Sequence, residues 1–238
     1  NCNFYHCKQN SLMHYESNGG AILLSAISID IDHCKFRNNF ALQNGGAAYI
    51  QSSSNIRITD TVVSNNYADN FCGGFFLYNI FKCDIANSNF SNNFANEASS
   101  LSVIYCRNCV TKNLIFYKNQ ATYNGTVFIE KSKISDESSS YVQNIAAVAS
   151  SIKLGGYSEV SFKNTAFFDK KELFSIVSSP SDVSTFTKCL FTKSFQTEFQ
   201  SNGAKVTESS STIMSKPYYI NLISLSPVPT YPPLRTPN

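Results

Sequence analysis

Ile29-Asp30-Ile31-Asp32-His33-Cys34-Lys35-Phe36-Arg37-Asn38-Asn39-Phe40-Ala41 decides the fold, because the chain repeats its pattern. An aromatic or aliphatic anchor stands three residues before an Asn at Phe36/Asn39, Val63/Asn66, Phe90/Asn93, Phe116/Asn119 and Tyr141/Asn144, in steps of 27, 27, 26 and 25. Five residues before the first four anchors stand Ile31, Ile58, Ile85 and Thr111, and seven before stand Ile29, Ile56, Cys83 and Cys109. The residues between them, Asp30, Arg57, Asp84 and Val110, are mostly polar. Apolar and polar residues therefore alternate with the period of a strand. A strand pattern that recurs at a fixed period, with no helical period, is the signature of a solenoid. The expected fold is all-β: a single-stranded, right-handed parallel β-helix with one coil per repeat, about seven turns of roughly 26 residues.

Two further markers keep step. Ala41, Ala68, Ala95, Ala121 and Ala146 each follow their anchor by five. Gly19-Gly20, Gly45-Gly46 and Gly73-Gly74 recur and then decay to Ser99-Ser100, Gly125-Thr126 and Ser150-Ser151. Stacking like on like predicts inward ladders of Ile31, Ile58 and Ile85 and of Phe36, Phe90 and Phe116. It also predicts an amide ladder of Asn39, Asn66, Asn93 and Asn119, since stacked Asn side chains hydrogen-bond along such an axis. Cys7-Lys8-Gln9-Asn10 reads as an earlier anchor, and Phe167 and Phe191 continue the period without their Asn. Residues 131–140 break the apolar pattern and place Asp136 on the Ile column, which predicts an irregular strand or bulging loop. The β-helix is expected over residues 1–204, as a fragment lacking its native N-terminal cap. Residues 205–238 hold six of the seven prolines and are expected to form an extended Ser/Thr/Pro-rich tail.

Charged residues make up only 15% of the chain and the net charge is +3, which argues against nucleic acid as a partner. Polarity comes from Ser, Asn and Thr beside 13 Tyr and 19 Phe, a composition that suits a secreted or cell-surface β-protein. The pair Cys106/Cys109 lacks a second pair at zinc-binding spacing, so neither metal nor cofactor is expected. Cys83 and Cys109 share one inward column, which leaves stacked thiols and a disulfide both open.

Gly19-Gly20-Ala21-Ile22, with Phe-x-x-Asn at 36–39, 90–93 and 116–119, resembles the repeats of the polymorphic outer-membrane proteins of chlamydiae. Similar repeats occur in right-handed β-helix surface proteins of trichomonad protists, which the composition resembles more. The resemblance covers roughly residues 1–195. It implies a β-helical ectodomain with an adhesive or antigenic role, displayed extracellularly, with any membrane anchor outside this fragment. The implied partner is a host or neighbouring cell-surface protein or glycan.

Several residues are candidates for function. Leu24, Ile50, Phe76, Tyr78 and Phe128 follow the Gly pairs at positions expected to face outward, and together would form an apolar stripe for a partner. Asp30, Arg57 and Asp84 share an outward column, readable as an ion-pair ladder or as the acidic site of a pectate-lyase-like polysaccharide lyase or glycoside hydrolase. The ladder is the preferred reading, since the opposite charges alternate. His33 shares a turn column with Asp60, Asn87 and Asn113, and no catalytic triad spacing accompanies it. Asn89-Phe90-Ser91 and Asn124-Gly125-Thr126 match the N-glycosylation pattern, with Asn89 expected at a turn and Asn124 at a corner. The few insertions between residues 19 and 125 favour a non-enzymatic interaction or structural ectodomain over an enzyme.

Overall fold

The computed structural model describes residues 1–9, 17–169 and 174–214. The chain winds into a parallel β-solenoid of about seven turns, each roughly 26 residues from the next. Three sheets run along its length. One holds the nine short strands of the anchor residues, from Asn3–Tyr5 through Lys35–Arg37 and Val62–Ser64 to Thr212–Ile213. A second holds five strands, among them Phe40–Ala41, Tyr67–Phe71 and Phe94–Glu97. The third is built on three twelve-residue strands, Ala48–Thr59, Phe75–Ala86 and Leu101–Lys112.

The register puts like on like. Ile31 pairs with Ile58, and Ile58 with Ile85. The anchor rings stack face to face: Phe4 on Phe36 with centroids 4.6 Å apart, Phe90 on Phe116 at 5.1 Å and Phe116 on Tyr141 at 4.7 Å. Val63 interrupts this stack with a smaller side chain. Phe75 fills the space from the facing sheet, meeting Phe36 edge-on at 5.0 Å and Phe90 at 5.8 Å. The core thus keeps its packing density by exchanging volume between two sheets.

Beside the rings runs the amide ladder. Asn39 Nδ2 donates to Asn66 Oδ1 at 2.9 Å, Asn66 to Asn93 at 3.0 Å and Asn93 to Asn119 at 3.2 Å. Each of these acceptors also receives the backbone N–H of the preceding Asn. The ladder runs further than its four expected rungs, through Asn144 to Asp169. The coils from Asn39 to Asp169 therefore carry a buried hydrogen-bonded spine as well as an apolar core.

The corners depend on left-handed backbone. Among the described residues 22 non-glycine residues have positive φ, and most fall into columns: Asn38, Asn65, Asn92, Lys118 and Gln143 in one; His33, Asp60, Asn87, Asn113, Ser138, Asn164, Lys188 and Ser210 in another. Asn adopts this conformation readily, which explains its abundance, but here Lys, Ser and Gln adopt it too. Gly19, Gly45, Cys72 and Ala98 form a third column, with φ of 72°, 68°, 62° and 50°. Gly46 is required for a different reason: a Cβ there would stand 2.3 Å from the Tyr67 carbonyl oxygen.

Four expectations are corrected. The first coil is anchored at Phe4, not Cys7: Phe4 pairs with Phe36, and Cys7 takes the Asn position, its N–H donating to Asn39 Oδ1 at 3.0 Å. Asn10 lies outside the described residues. Residues 133–137 form a regular strand, Lys133–Glu137, in which Asp136 points inward and is only 3% exposed. Hydroxyls of Thr111, Ser139 and Thr165 donate to its carboxylate, so a strand with an acid at the Ile position stays regular. The solenoid also passes residue 204. Lys205–Ser209 pairs with Val183–Thr187, and Thr212–Ile213 with Leu190–Phe191. In these last strands only Val206 is half-buried against the core and the other residues are exposed, so no apolar alternation marks them in the sequence. The proline-rich stretch from 217 onward lies outside the described residues.

The expected apolar stripe does not form on one outer face. Gly45 and Gly46 donate to the carbonyls of Phe71 and Cys72, which places them opposite Cys72 and Gly73 rather than Gly73 and Gly74. The glycine pairs thus slip by one residue between the second and third coils, and a one-residue slip turns every side chain to the other face. Ile50 pairs with Leu77 and Leu24 with Ile50, and both predicted stripe residues line the core. Phe76 and Phe128 do point outward, yet each is almost fully covered. Phe71 meets Phe76 at 5.8 Å and Phe128 at 5.5 Å, sealing a small outer cluster with Tyr49 and Ile104. Tyr78 alone of the five is exposed.

Candidate binding groove

The twelve-residue strands are long because each bends without breaking. Ser52, Asn79 and Tyr105 stand at the bend with φ of 51°, 55° and 56°. Lys131 and Tyr157, at 47° and 54°, hold the same corner on the next two coils, where the strands are split in two. Along this corner lies an open groove of about 490 Å³, lined by Ser52, Ser53, Ser54, Asn79, Ile80, Phe81, Tyr105, Arg107 and Lys131.

The alternation of the strand after the bend explains what the groove displays. Ile80 and Cys106 point into the core, so their neighbours Phe81 and Arg107 point out. Phe81 is 58% exposed, which is unusual for a Phe. The Arg107 guanidinium lies over its ring at 5.5 Å. One column across, Tyr78 meets Tyr105 edge-on at 5.6 Å, and Lys131 Nζ donates to the Tyr105 hydroxyl at 2.9 Å. That hydrogen bond, with Glu130 as a lesser partner, holds the Lys131 ammonium above its usual range and so charged. Arg107 has no carboxylate partner among the described residues, and none of the lining residues is acidic. The groove therefore combines flat rings, hydroxyls and an amide with two cations.

The other sequence candidates lie elsewhere. Asp30, Arg57 and Asp84 do share one register column. Among the described residues Arg57 pairs with Asp30, at 3.2 Å, while Asp84 accepts from Lys82 at 2.9 Å. The three-member ladder is thus two separate ion pairs, because Lys82 reaches Asp84 along its own strand. Asn89 is not at an accessible turn: it sits in the strand Asn89–Ser91 and is 7% exposed, so as a glycosylation site it is withdrawn. Asn124 is half-buried and donates to Glu97 Oε2. Cys83 and Cys109 are in-register neighbours, and both are free thiols.

One cluster among the described residues could offer three donor groups to a cation: Asp32, His33 and Asp60, at an exposed turn. Asp32 is already engaged, by the Thr59 hydroxyl at 2.6 Å and by His33 Nδ1 at 2.7 Å. These two contacts, Thr59 first, hold its carboxyl below the ordinary range.

Sequence reasoning did not single out Phe81, Tyr105, Arg107 or Lys131. A signal was present: a Phe at an outward strand position, on the coil above Ser54, departs from the repeat where no packing demands it. Comparison of the chain with protein-family models, with curated proteins and with solved structures finds no match.

Proposed function

We propose that this chain is a non-enzymatic binding module of a surface-displayed protein, which holds an elongated partner in the groove at the strand bend. The observation that carries this reading is the exposed Phe81–Arg107 pair beside Tyr105 and Lys131, in a concave surface that contains no carboxylate. Exposed aromatic rings and a guanidinium without a carboxylate partner are among the side chains that contribute most at binding surfaces. Catalysis of the lyase or hydrolase type needs free carboxylates or bases at a cleft, whereas Asp30 and Asp84 are each tied to a cation on an open strand face. Support for surface display comes from the Gly-Gly-Ala-Ile and Phe-x-x-Asn motifs, similar to those of the β-helical surface proteins of chlamydiae and trichomonads, and from the Ser/Asn-rich composition.

The reading is tested by binding of the fluorescently labelled chain to cell surfaces. Phe81→Ser combined with Arg107→Ala should abolish binding and leave the circular dichroism spectrum unchanged, since both side chains are exposed. Binding that survives this double substitution would remove the groove from consideration.

A further inference from the structure

We propose that the occupant of this groove is an anionic polysaccharide, a chain of sugar residues carrying carboxylate or sulfate groups. The inference rests on the binding-module reading above and names the class of its partner.

The lining makes three demands at once. Phe81 and Tyr105 offer flat apolar faces. Arg107 offers a positive charge with no carboxylate partner among the described residues, and Lys131 adds a second cation, shared with Glu130 at 3.4 Å. Ser52, Ser54 and Asn79 offer short hydrogen-bonding side chains at the same surface. A sugar ring with an acidic substituent meets all three: its C–H face packs on an aromatic ring, its hydroxyls pair with Ser and Asn, and its carboxylate or sulfate takes charge-assisted hydrogen bonds from the guanidinium.

The backbone argues against a peptide in the same place. A peptide that binds a β-surface gains most of its affinity by adding a strand to an open edge. The strands beneath this groove have no open edge. Phe75–Ala86 pairs with Ala48–Thr59 on one side and with Leu101–Lys112 on the other, over ten residue pairs each. Only side chains are available to a ligand here, and they repeat along the axis at the strand spacing of about 4.8 Å. Ser52, Asn79, Tyr105 and Lys131 occupy one position on four successive coils, so the column spans about 14 Å at that spacing. A ligand matched to this column is itself linear and periodic, which a polysaccharide is.

The column is also graded. It runs from Ser52 through Asn79 and Tyr105 to Lys131, and its neighbour runs from Ser54 through Phe81 to Arg107. Hydroxyl contacts are concentrated at one end and charge at the other, so the chain binds with one polarity.

The test uses the whole 238-residue chain and isothermal titration with three oligosaccharide probes: a heparin-type sulfated one, a galacturonate one and a neutral maltose-type one. Poly-glutamate serves as the charged non-sugar control. Binding to at least one acidic oligosaccharide is expected, with the neutral one weaker by about tenfold or more. Arg107→Ala, and separately Phe81→Ser, should each weaken the acidic probe by about tenfold. Tyr105→Asn, which keeps a residue suited to the left-handed bend, should act like Phe81→Ser. Poly-glutamate binding as tight as the acidic sugars, and indifferent to Phe81→Ser, would reduce the site to a charge patch and overturn the proposal. Failure of both acidic probes would overturn it as well. If cell-surface binding still depends on Phe81 and Arg107 in that case, the partner class is wrong and the groove stands; if it does not, both readings fall.

Discussion

Asn144 donates its side-chain amide to Asp169 Oδ1 at 3.1 Å, and its backbone N–H to the same oxygen at 2.8 Å. Asp169 is the last rung of a ladder that begins at Asn39. Every Asn above it both accepts and donates, so the ladder needs a final acceptor that demands nothing further along the axis. A carboxylate meets that need, since it accepts only. Its other oxygen accepts from the Ser151 hydroxyl. The substitution of Asp for Asn at this point is a chain terminator in the hydrogen-bonding sense.

The terminator carries a pH signature. Burial pushes the Asp169 carboxyl up to about 6, against hydrogen bonds from Ser151 and Asn144 that pull it down. Because the folded value lies above the unfolded one, the folded state binds the proton more tightly. Stability should then fall as pH rises from about 4 to about 6, and the slope should flatten above that window. Asp136, also raised by burial, adds to the same trend. Urea unfolding of Asp169→Asn, which cannot titrate, should show a shallower decline across this range. Asp169→Ala leaves two Asn144 N–H groups without an acceptor and should cost about 2–4 kcal/mol. An unaltered pH profile in Asp169→Asn would contradict the assignment.

Interior rungs should matter far more than surface ion pairs. Asn93 Oδ1 accepts two N–H groups of Asn66, and its amide donates to the Val63 carbonyl and to Asn119. Asn93→Ala should cost about 3 kcal/mol, because the orphaned groups are sealed from water. Arg57 and Asp30 are both more than half exposed, so Arg57→Ala should change stability by less than about 0.5 kcal/mol. Equal effects of the two substitutions in denaturant titrations would refute the view that the amide spine holds the coils in register.

The inward columns and the amide ladder were legible in the sequence because they are the positions where stacking demands identity: Ile on Ile, ring on ring, Asn on Asn. The glycine pairs misled. Glycine is needed at Gly46 for close approach, but the left-handed corner is taken by Gly45, then Cys72, then Ala98, so the eye follows the glycines while the register follows the backbone. That single slip inverted Leu24 and Ile50. The groove residues were hidden for a related reason. Outward positions are not bound by stacking, so Ser54, Phe81 and Arg107 share a column with no common chemistry, and no periodicity search gathers them. Phe71, which covers Phe76 and Phe128, belongs to a different sheet and was invisible to reasoning within one strand.

The left-handed corners store strain that glycine would release. Gln143 has φ of 56° and is exposed, next to Asn144 on the ladder. A non-glycine residue pays about 1–2 kcal/mol in this region, while glycine costs about 0.5–1 kcal/mol in chain entropy. Gln143→Gly should therefore raise stability by a few tenths to about 1 kcal/mol. Gln143→Val, β-branched and poorly suited to positive φ, should lower it. Thermal unfolding of the two variants checks the sign, and a destabilised Gln143→Gly would mean that this corner relaxes out of the left-handed region in solution.

Thiol chemistry offers an independent check on the winding. Six cysteines, Cys34, Cys72, Cys83, Cys106, Cys109 and Cys189, are buried, while Cys2 is exposed and Cys7 half-buried. Burial pushes the thiols of Cys72 and Cys189 up, the latter to about 11, and only the thiolate reacts with alkylating agents. Iodoacetamide at pH 8 should modify Cys2 first, Cys7 more slowly, and the remaining six only after urea is added. Peptide mass spectrometry reads this order directly. In urea without reductant all eight thiols should be alkylated, since Cys83 and Cys109 stack as free thiols on adjacent coils. A pair protected in urea until reductant is added would show a covalent link between coils. Fast native labelling of Cys109 would place it outside the core and undo the inward column it shares with Ile56 and Cys83.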